Sequence, residues 1–152
     1  MGGLKLSKEE LIQFAKQYYG DISHPLAVAN QFPEMSDEWI VGLFHDILED
    51  NPDKRDIIQN KLLKVLNYNW DIFRAIQYVS RDEDVPYFDY IWFIKYMKDE
   101  NKQGGELAWK VKIADLKHNL SRTETLKPSL KERYEKALRI LLDVAVIYPR
   151  KY

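Results

Sequence analysis

The residues Phe44-His45-Asp46-Ile47-Leu48-Glu49-Asp50 crowd one imidazole and three carboxylates into a short stretch. If the run from Asp37 to Asp50 is helical, Asp46 and Asp50 lie four apart and Glu49 lies four beyond His45, so these groups share one side. Trp39, Ile40, Leu43, Phe44, Ile47 and Leu48 form the apolar side that would bury such a helix. Polar groups at that boundary cost free energy unless something pairs with them, and a divalent cation satisfies a histidine and carboxylates together. The chemistry expected here is therefore a metal site.

A second stretch runs from Lys112 to Arg122, KIADLKHNLSR. On a helix Lys112, Asp115, Asn119 and Arg122 step by three, four and three and form one polar stripe. The stripe combines a carboxylate for a metal, cations for phosphate oxygens and an amide for a sugar or base. A solvated helix face with ordinary ion pairs is the other reading of the same spacing.

The elements that must carry these residues read as helices throughout. Ser7 and Glu10 form a capping box ahead of Leu11, Ile12, Phe14, Ala15 and Tyr18, which predicts a helix from Ser7 to Tyr19 closed by Gly20. Pro25 suits the first turn of a short helix with His24 at its mouth. Ser36 caps the central run, the acids Asp37 and Glu38 suit its positive end, and Pro52 ends it. Amphipathic patterns then cover Asp53 to Leu66, with Ile57, Ile58, Leu62 and Leu63, and Trp70 to Val79, with Phe73 and Ile76. A charged loop, Ser80 to Pro86, leads into the aromatic helix Tyr87 to Met97. Gly104 and Gly105 precede a helix from Glu106 to Arg122. Ser129 and Glu132 read as a second capping box, opening a final helix through Tyr134, Leu138, Leu141, Leu142 and Val146 until Pro149. No segment alternates as a strand would. The expectation is an all-α bundle of seven or eight helices.

At 152 residues the chain is expected to be one domain, and a composition 45% hydrophobic and 31% charged gives it a core without covalent staples. The absence of cysteine excludes disulfides, thiol nucleophiles and thiolate metal sites, so any metal is held by nitrogen and oxygen. A net charge of −1 argues against coating nucleic acid. No apolar run approaches a membrane span, and MGGLKLSKEE lacks the hydrophobic core of a secretory signal, so a cytoplasmic protein without a membrane partner is expected.

Three separated pieces, HPLAVA at His24 to Ala29, HDILED at His45 to Asp50 and KIADLKHN at Lys112 to Asn119, resemble in order and style the motifs of HD-domain phosphohydrolases. The resemblance is nearest to the hydrolase domain of RelA/SpoT-type alarmone enzymes and their small stand-alone relatives, and spans His24 to Leu142. It implies a compact HD-domain helical bundle in which His24, His45, Asp46 and Asp115 ligate one divalent metal, usually manganese. It further implies that Glu49 and Asp50 orient or deprotonate the attacking water and that Lys112 and Asn119 face the substrate. Arg122 would join Lys112 in offsetting phosphate charge. Ser80-Arg81 and Tyr90-Ile91 also resemble family segments, and His118 matches a histidine that is not normally a ligand, which reads as either structural or a support behind a ligand. The span Phe14 to Ser23 departs from the pattern: it lacks the histidine-glycine-glutamine stretch of the alarmone hydrolases, and Lys16 is its one cation.

The activity implied is hydrolysis of a nucleotide, with pyrophosphate release from a guanosine polyphosphate as the most specific version. The alternatives are a nucleoside monophosphate phosphatase, a non-catalytic nucleotide-sensing module, and a helical interaction domain that packs a partner against Tyr90, Trp92 and Phe93.

Overall fold

A computed structural model describes residues 6–122 and 124–144. Among them are eight α-helices and no strand: α1 (Lys8–Lys16), α2 (Ser23–Ala29), α3 (Asp37–Phe44), α4 (Arg55–Val65), α5 (Trp70–Tyr78), α6 (Tyr87–Asp99), α7 (Gly105–Ser121) and α8 (Pro128–Leu142). The all-α expectation holds. Helix α7 lies at the centre, packed by α2, α3, α5, α6 and α8. Its residues Ala108, Val111, Ile113, Ala114 and Leu116 are buried on several sides, as expected of a helix surrounded by others. Lys112 and Asp115 are buried among them.

Local chemistry explains most of the boundaries. Both halves of the Ser7–Glu10 box form, at 3.2 and 2.8 Å. Ser36 Oγ accepts the Trp39 N–H, and Asn69 Oδ1 accepts that of Ile72, so α3 and α5 each start on a side-chain cap. Asn30 Oδ1 accepts the Trp39 indole N–H at 3.0 Å, and the Gln31 amide donates to the Ala114 carbonyl at 2.8 Å, locking α2 to α3 and α7. Gly104 turns the chain from α6 into α7 at φ +77°, and a Cβ there would meet the Asp71 carbonyl at 2.7 Å.

Several expectations are corrected. Helix α1 stops at Lys16, three residues before Tyr19, and Gln17 rather than Gly20 caps it. The run through His45 to Asp50 is not helical: α3 ends at Phe44, and tight turns follow, with Ile47 N–H on the Phe44 carbonyl and Asn51 N–H on that of Leu48. Pro52 opens a 3-10 turn ahead of α4 rather than ending α3. Ile57 is exposed, off the buried stripe of Ile58 and Leu62. The Ser129 box does not form, because Pro128 already begins α8: its fixed φ suits the first helical position and its missing N–H would have no partner there. Val146 and Pro149 lie outside the described residues.

Candidate metal centre

The turns after α3 aim the two groups that a continuous helix would have spread along its face. His45 is buried, and its Nδ1–H donates to the Gly42 carbonyl at 2.7 Å. This orients the ring so that Nε2 points into the site and is the nitrogen left for a cation. Nε2 lies 3.2 Å from Asp46 Oδ2 and 3.3 Å from Asp115 Oδ1, yet neither oxygen is aligned for a hydrogen bond, and the atom is buried without such a partner. Ile47 and Leu48 between the polar residues are wholly buried. Each contributes roughly 1.5–3 kcal/mol, which anchors the turns.

Asn51 holds the other end of the turns, donating to the carbonyls of Tyr18 at 3.0 Å and Ile47 at 2.9 Å. Tyr19, buried under the same segment, accepts the Asp46 N–H and donates to the Leu43 carbonyl. Burial pushes its hydroxyl well above the usual tyrosine range, and the Asp46 charge adds to this, so it stays a neutral donor. The sequence had placed Tyr19 at the end of α1 without a role.

His24, from the first turn of α2, completes the group with Asp115 from α7. Its Nε2 is 2.7 Å from Asp115 Oδ1 and 3.8 Å from Asp46 Oδ2. Helix α2 can approach this closely because Gly42 faces it: a Cβ there would lie 2.9 Å from Ala29 Cα. Lys112 holds the second oxygen of Asp115 at 2.8 Å, and Asn119 donates to the first at 3.3 Å. The stripe on α7 is therefore buried at its start and solvated at its end: Lys112 and Asp115 are buried, the Lys112 ammonium lying over the Tyr90 ring, whereas Arg122 is exposed.

These charges shape one another. Burial would raise the Asp115 carboxyl, but Lys112 first, then His45 and His24, hold it well below the usual range. Burial likewise opposes ionisation of Asp46, which His45 lowers. For His45 burial disfavours the proton, and Asp46 and Asp115 outweigh it, raising the imidazole well above its ordinary value. Asp50, at the rim, is raised to about 6 by burial, Asp46 and Glu49.

Three of these donors, His24, His45 and Asp46, could hold a divalent cation, and Asp115 stands beside them. The three each offer an atom within 4.8 Å of the others, and the separations of 2.7–3.8 Å between the two imidazoles and the carboxylates of Asp46 and Asp115 bracket the ~3–3.5 Å between neighbouring ligands of a small divalent ion. The buried, unpaired Nε2 of His45 is the group a cation would satisfy. Two imidazoles and two carboxylates suit a hard to borderline metal.

Around this centre opens a cleft of about 320 Å³. Glu49 and Asp50 line it, as do Arg122 and Asn119, so the sequence-derived residues come together there. Glu49 is fixed from outside: its Oε1 accepts the Arg81 N–H at 2.9 Å. Arg81, Tyr87, Arg133 and Tyr134 also line the cleft. Arg133 lies over the Tyr87 ring at 4.8 Å, and the Tyr87 hydroxyl is buried without a partner. Neither Arg133 nor Tyr87 was marked by the sequence as a site residue, since each sits on an amphipathic helix with no local motif. A more apolar hollow of about 440 Å³ lies beyond Arg81 and Tyr90; Asp82 and Asp89 line it, but no histidine does. No helix among the described residues is long and apolar enough to cross a membrane. No family model matches the chain, and no curated protein matches it.

Proposed function

We propose that this cleft is the active site of a metal-dependent phosphohydrolase of the HD kind, acting on a nucleotide. In this reading His24, His45, Asp46 and Asp115 hold one divalent ion, manganese by the family resemblance. The observation that carries it is the convergence of four ligand atoms from α2, the end of α3 and α7, in a cleft lined by both acids and cations. When bound, a divalent ion lowers the pKa of water and polarises a phosphate oxygen. Glu49, held by the Arg81 N–H, and Asp50 are the bases that take the proton of the attacking water. Lys112 keeps Asp115 ionised and oriented, while Arg81, Arg122 and Arg133 offset the charge that would repel a nucleophile from a phosphate. Asn119 orients the non-reacting part of the substrate. No covalent enzyme intermediate is required.

Release of pyrophosphate from a guanosine polyphosphate is the most specific form of this proposal, in a cytoplasmic enzyme without a nucleic-acid or membrane partner. A nucleoside monophosphate phosphatase is the second reading. Two observations favour it: the cleft is at the small end for a ligand pocket, and the span Phe14 to Ser23 has one cation, Lys16. Glu49 and Asp50, both lining the cleft, favour turnover over a purely sensing role.

A manganese-supplemented panel of guanosine polyphosphates and nucleoside monophosphates separates the readings by product, pyrophosphate against orthophosphate. Binding without turnover across several metals would instead support the sensing module. Neither binding nor turnover would remove the proposal.

A further inference from the structure

We propose that His118 is a positioning residue for the metal centre, setting the tautomer of His24 so that its Nε2 offers a lone pair to a divalent cation. The inference rests on the metal-centre reading above. The two imidazoles meet Nδ1 to Nδ1 at 2.7 Å, with the rings 29° apart in tilt and their centroids 4.9 Å apart. One proton lies between two nitrogens at that distance, so one ring donates while the other accepts.

The far side of His24 decides which. Its Nε2 is 2.7 Å from Asp115 Oδ1. In the metal-free protein Nε2 carries the proton and donates to that oxygen, so Nδ1 accepts from His118. A cation at Nε2 needs that nitrogen bare. Neutral His24 then carries its proton on Nδ1 and donates it to His118, whose Nδ1 must be the bare atom. The exchange balances. One proton leaves His24 Nε2, one passes from His118 Nδ1 to His24 Nδ1, and one is taken up at His118 Nε2 with no change in net charge.

A metal-ligating imidazole is ordinarily supported by a carbonyl or carboxylate, which can only accept. Gly42 does this for His45. His118 can accept or donate, and so it serves His24 in both states. Arg122, whose Nη2 is 3.4 Å from His24 Nδ1, can only donate and cannot replace it in the metal-loaded protein.

The test compares His118→Leu, which keeps bulk and removes the acceptor, with His118→Asn, whose amide oxygen can stand where Nδ1 stood. Titration with Mn²⁺, followed by the resonance of the free ion, should show affinity weakened about 10–100-fold in His118→Leu and retained within about threefold in His118→Asn. In Zn²⁺-loaded wild type, nitrogen–proton correlation of the rings should find His24 protonated on Nδ1 and His118 bare there. Unchanged affinity in His118→Leu, equal losses in both variants, or a proton on His118 Nδ1 in the Zn²⁺ form overturns the assignment while leaving the metal centre standing. A wild-type protein that takes up neither ion overturns the metal centre and this inference with it.

Discussion

The Tyr19 hydroxyl takes the place of a helical carbonyl for Asp46, accepting its N–H at 3.2 Å while donating to the Leu43 carbonyl at 2.8 Å. One side chain from the turn after α1 thus lets the chain leave the helix at His45 without orphaning a buried backbone group. Tyr19→Phe leaves both groups unpaired, which should cost about 2 kcal/mol, or roughly 4–8 °C in melting temperature for a chain of this size. Metal affinity should fall with it, because Asp46 loses its support. Thermal melts and a Mn²⁺ titration of the same variant check both, and an unchanged melt would remove Tyr19 from this role.

The closeness of α2 to α3 rests on Gly42. A methyl group there would lie 2.9 Å from Ala29 Cα and 3.0 Å from its nitrogen, backbone atoms with little freedom to move. Gly42→Ala should destabilise by about 1–3 kcal/mol and pull His24 away from His45. Gly20→Ala is the control: nothing lies within 4 Å of its Cβ position, so its effect should stay within about 0.5 kcal/mol. Denaturant unfolding of the pair decides the matter, and equal midpoints would contradict it.

Most of the helices were legible in the sequence because their signals are local. The Ser7 box, the Ser36 cap and the spacing of Phe73 and Ile76 need no tertiary information. The break at His45 was not legible: Ile47 and Leu48 keep helical spacing with Leu43 and Phe44, and the agents of the break, Tyr19 and Asn51, act from outside the run or at its far end. The candidate ligands were found through their motifs, whereas Arg133 and Tyr87 reach the cleft only because α6 and α8 pack beside α7. The false box at Ser129 shows how a local rule fails when a stronger one, Pro128 at the first helical position, precedes it.

Glu49 is held through one carboxylate oxygen by the Arg81 N–H. A glutamine can keep that bond while losing the ability to take a proton. Glu49→Gln should therefore keep Mn²⁺ affinity and lower turnover by about 10²–10⁴-fold. Steady-state kinetics beside a metal titration test this, and a variant with wild-type turnover would assign the base to Asp50 alone.

The charges of the centre set a pH window for the metal-free protein. Burial opposes the His45 proton but Asp46 and Asp115 overcome it, so folding raises its pKa above 6.5. The stability this gives is full below pH 6.5 and is lost as pH rises through the raised value. Asp46 and Asp115 are lowered from 3.8, so their contribution is present above that pH and lost as pH falls through their lowered values. Asp50 is raised to about 6, so the stability linked to its proton goes as pH rises from 3.8 to 6. Chelator-treated protein should melt highest between about pH 4 and 6.5 and lower at pH 8. Asp50→Asn should recover about 0.5 kcal/mol, or 1–2 °C, at pH 7.5, a small figure because the side chain is exposed, and nothing below about pH 4. A melting temperature that is level from pH 5 to 8 would contradict the assignment.

Metal content measured by mass spectrometry of the intact protein, after loading with Mn²⁺ and removal of excess, tests the central claim most directly. One ion per chain is expected in the wild type, and none in His45→Ala or Asp46→Ala, with turnover lost in the same two variants. An Asp46→Ala protein that retains its ion and its normal turnover would contradict the account.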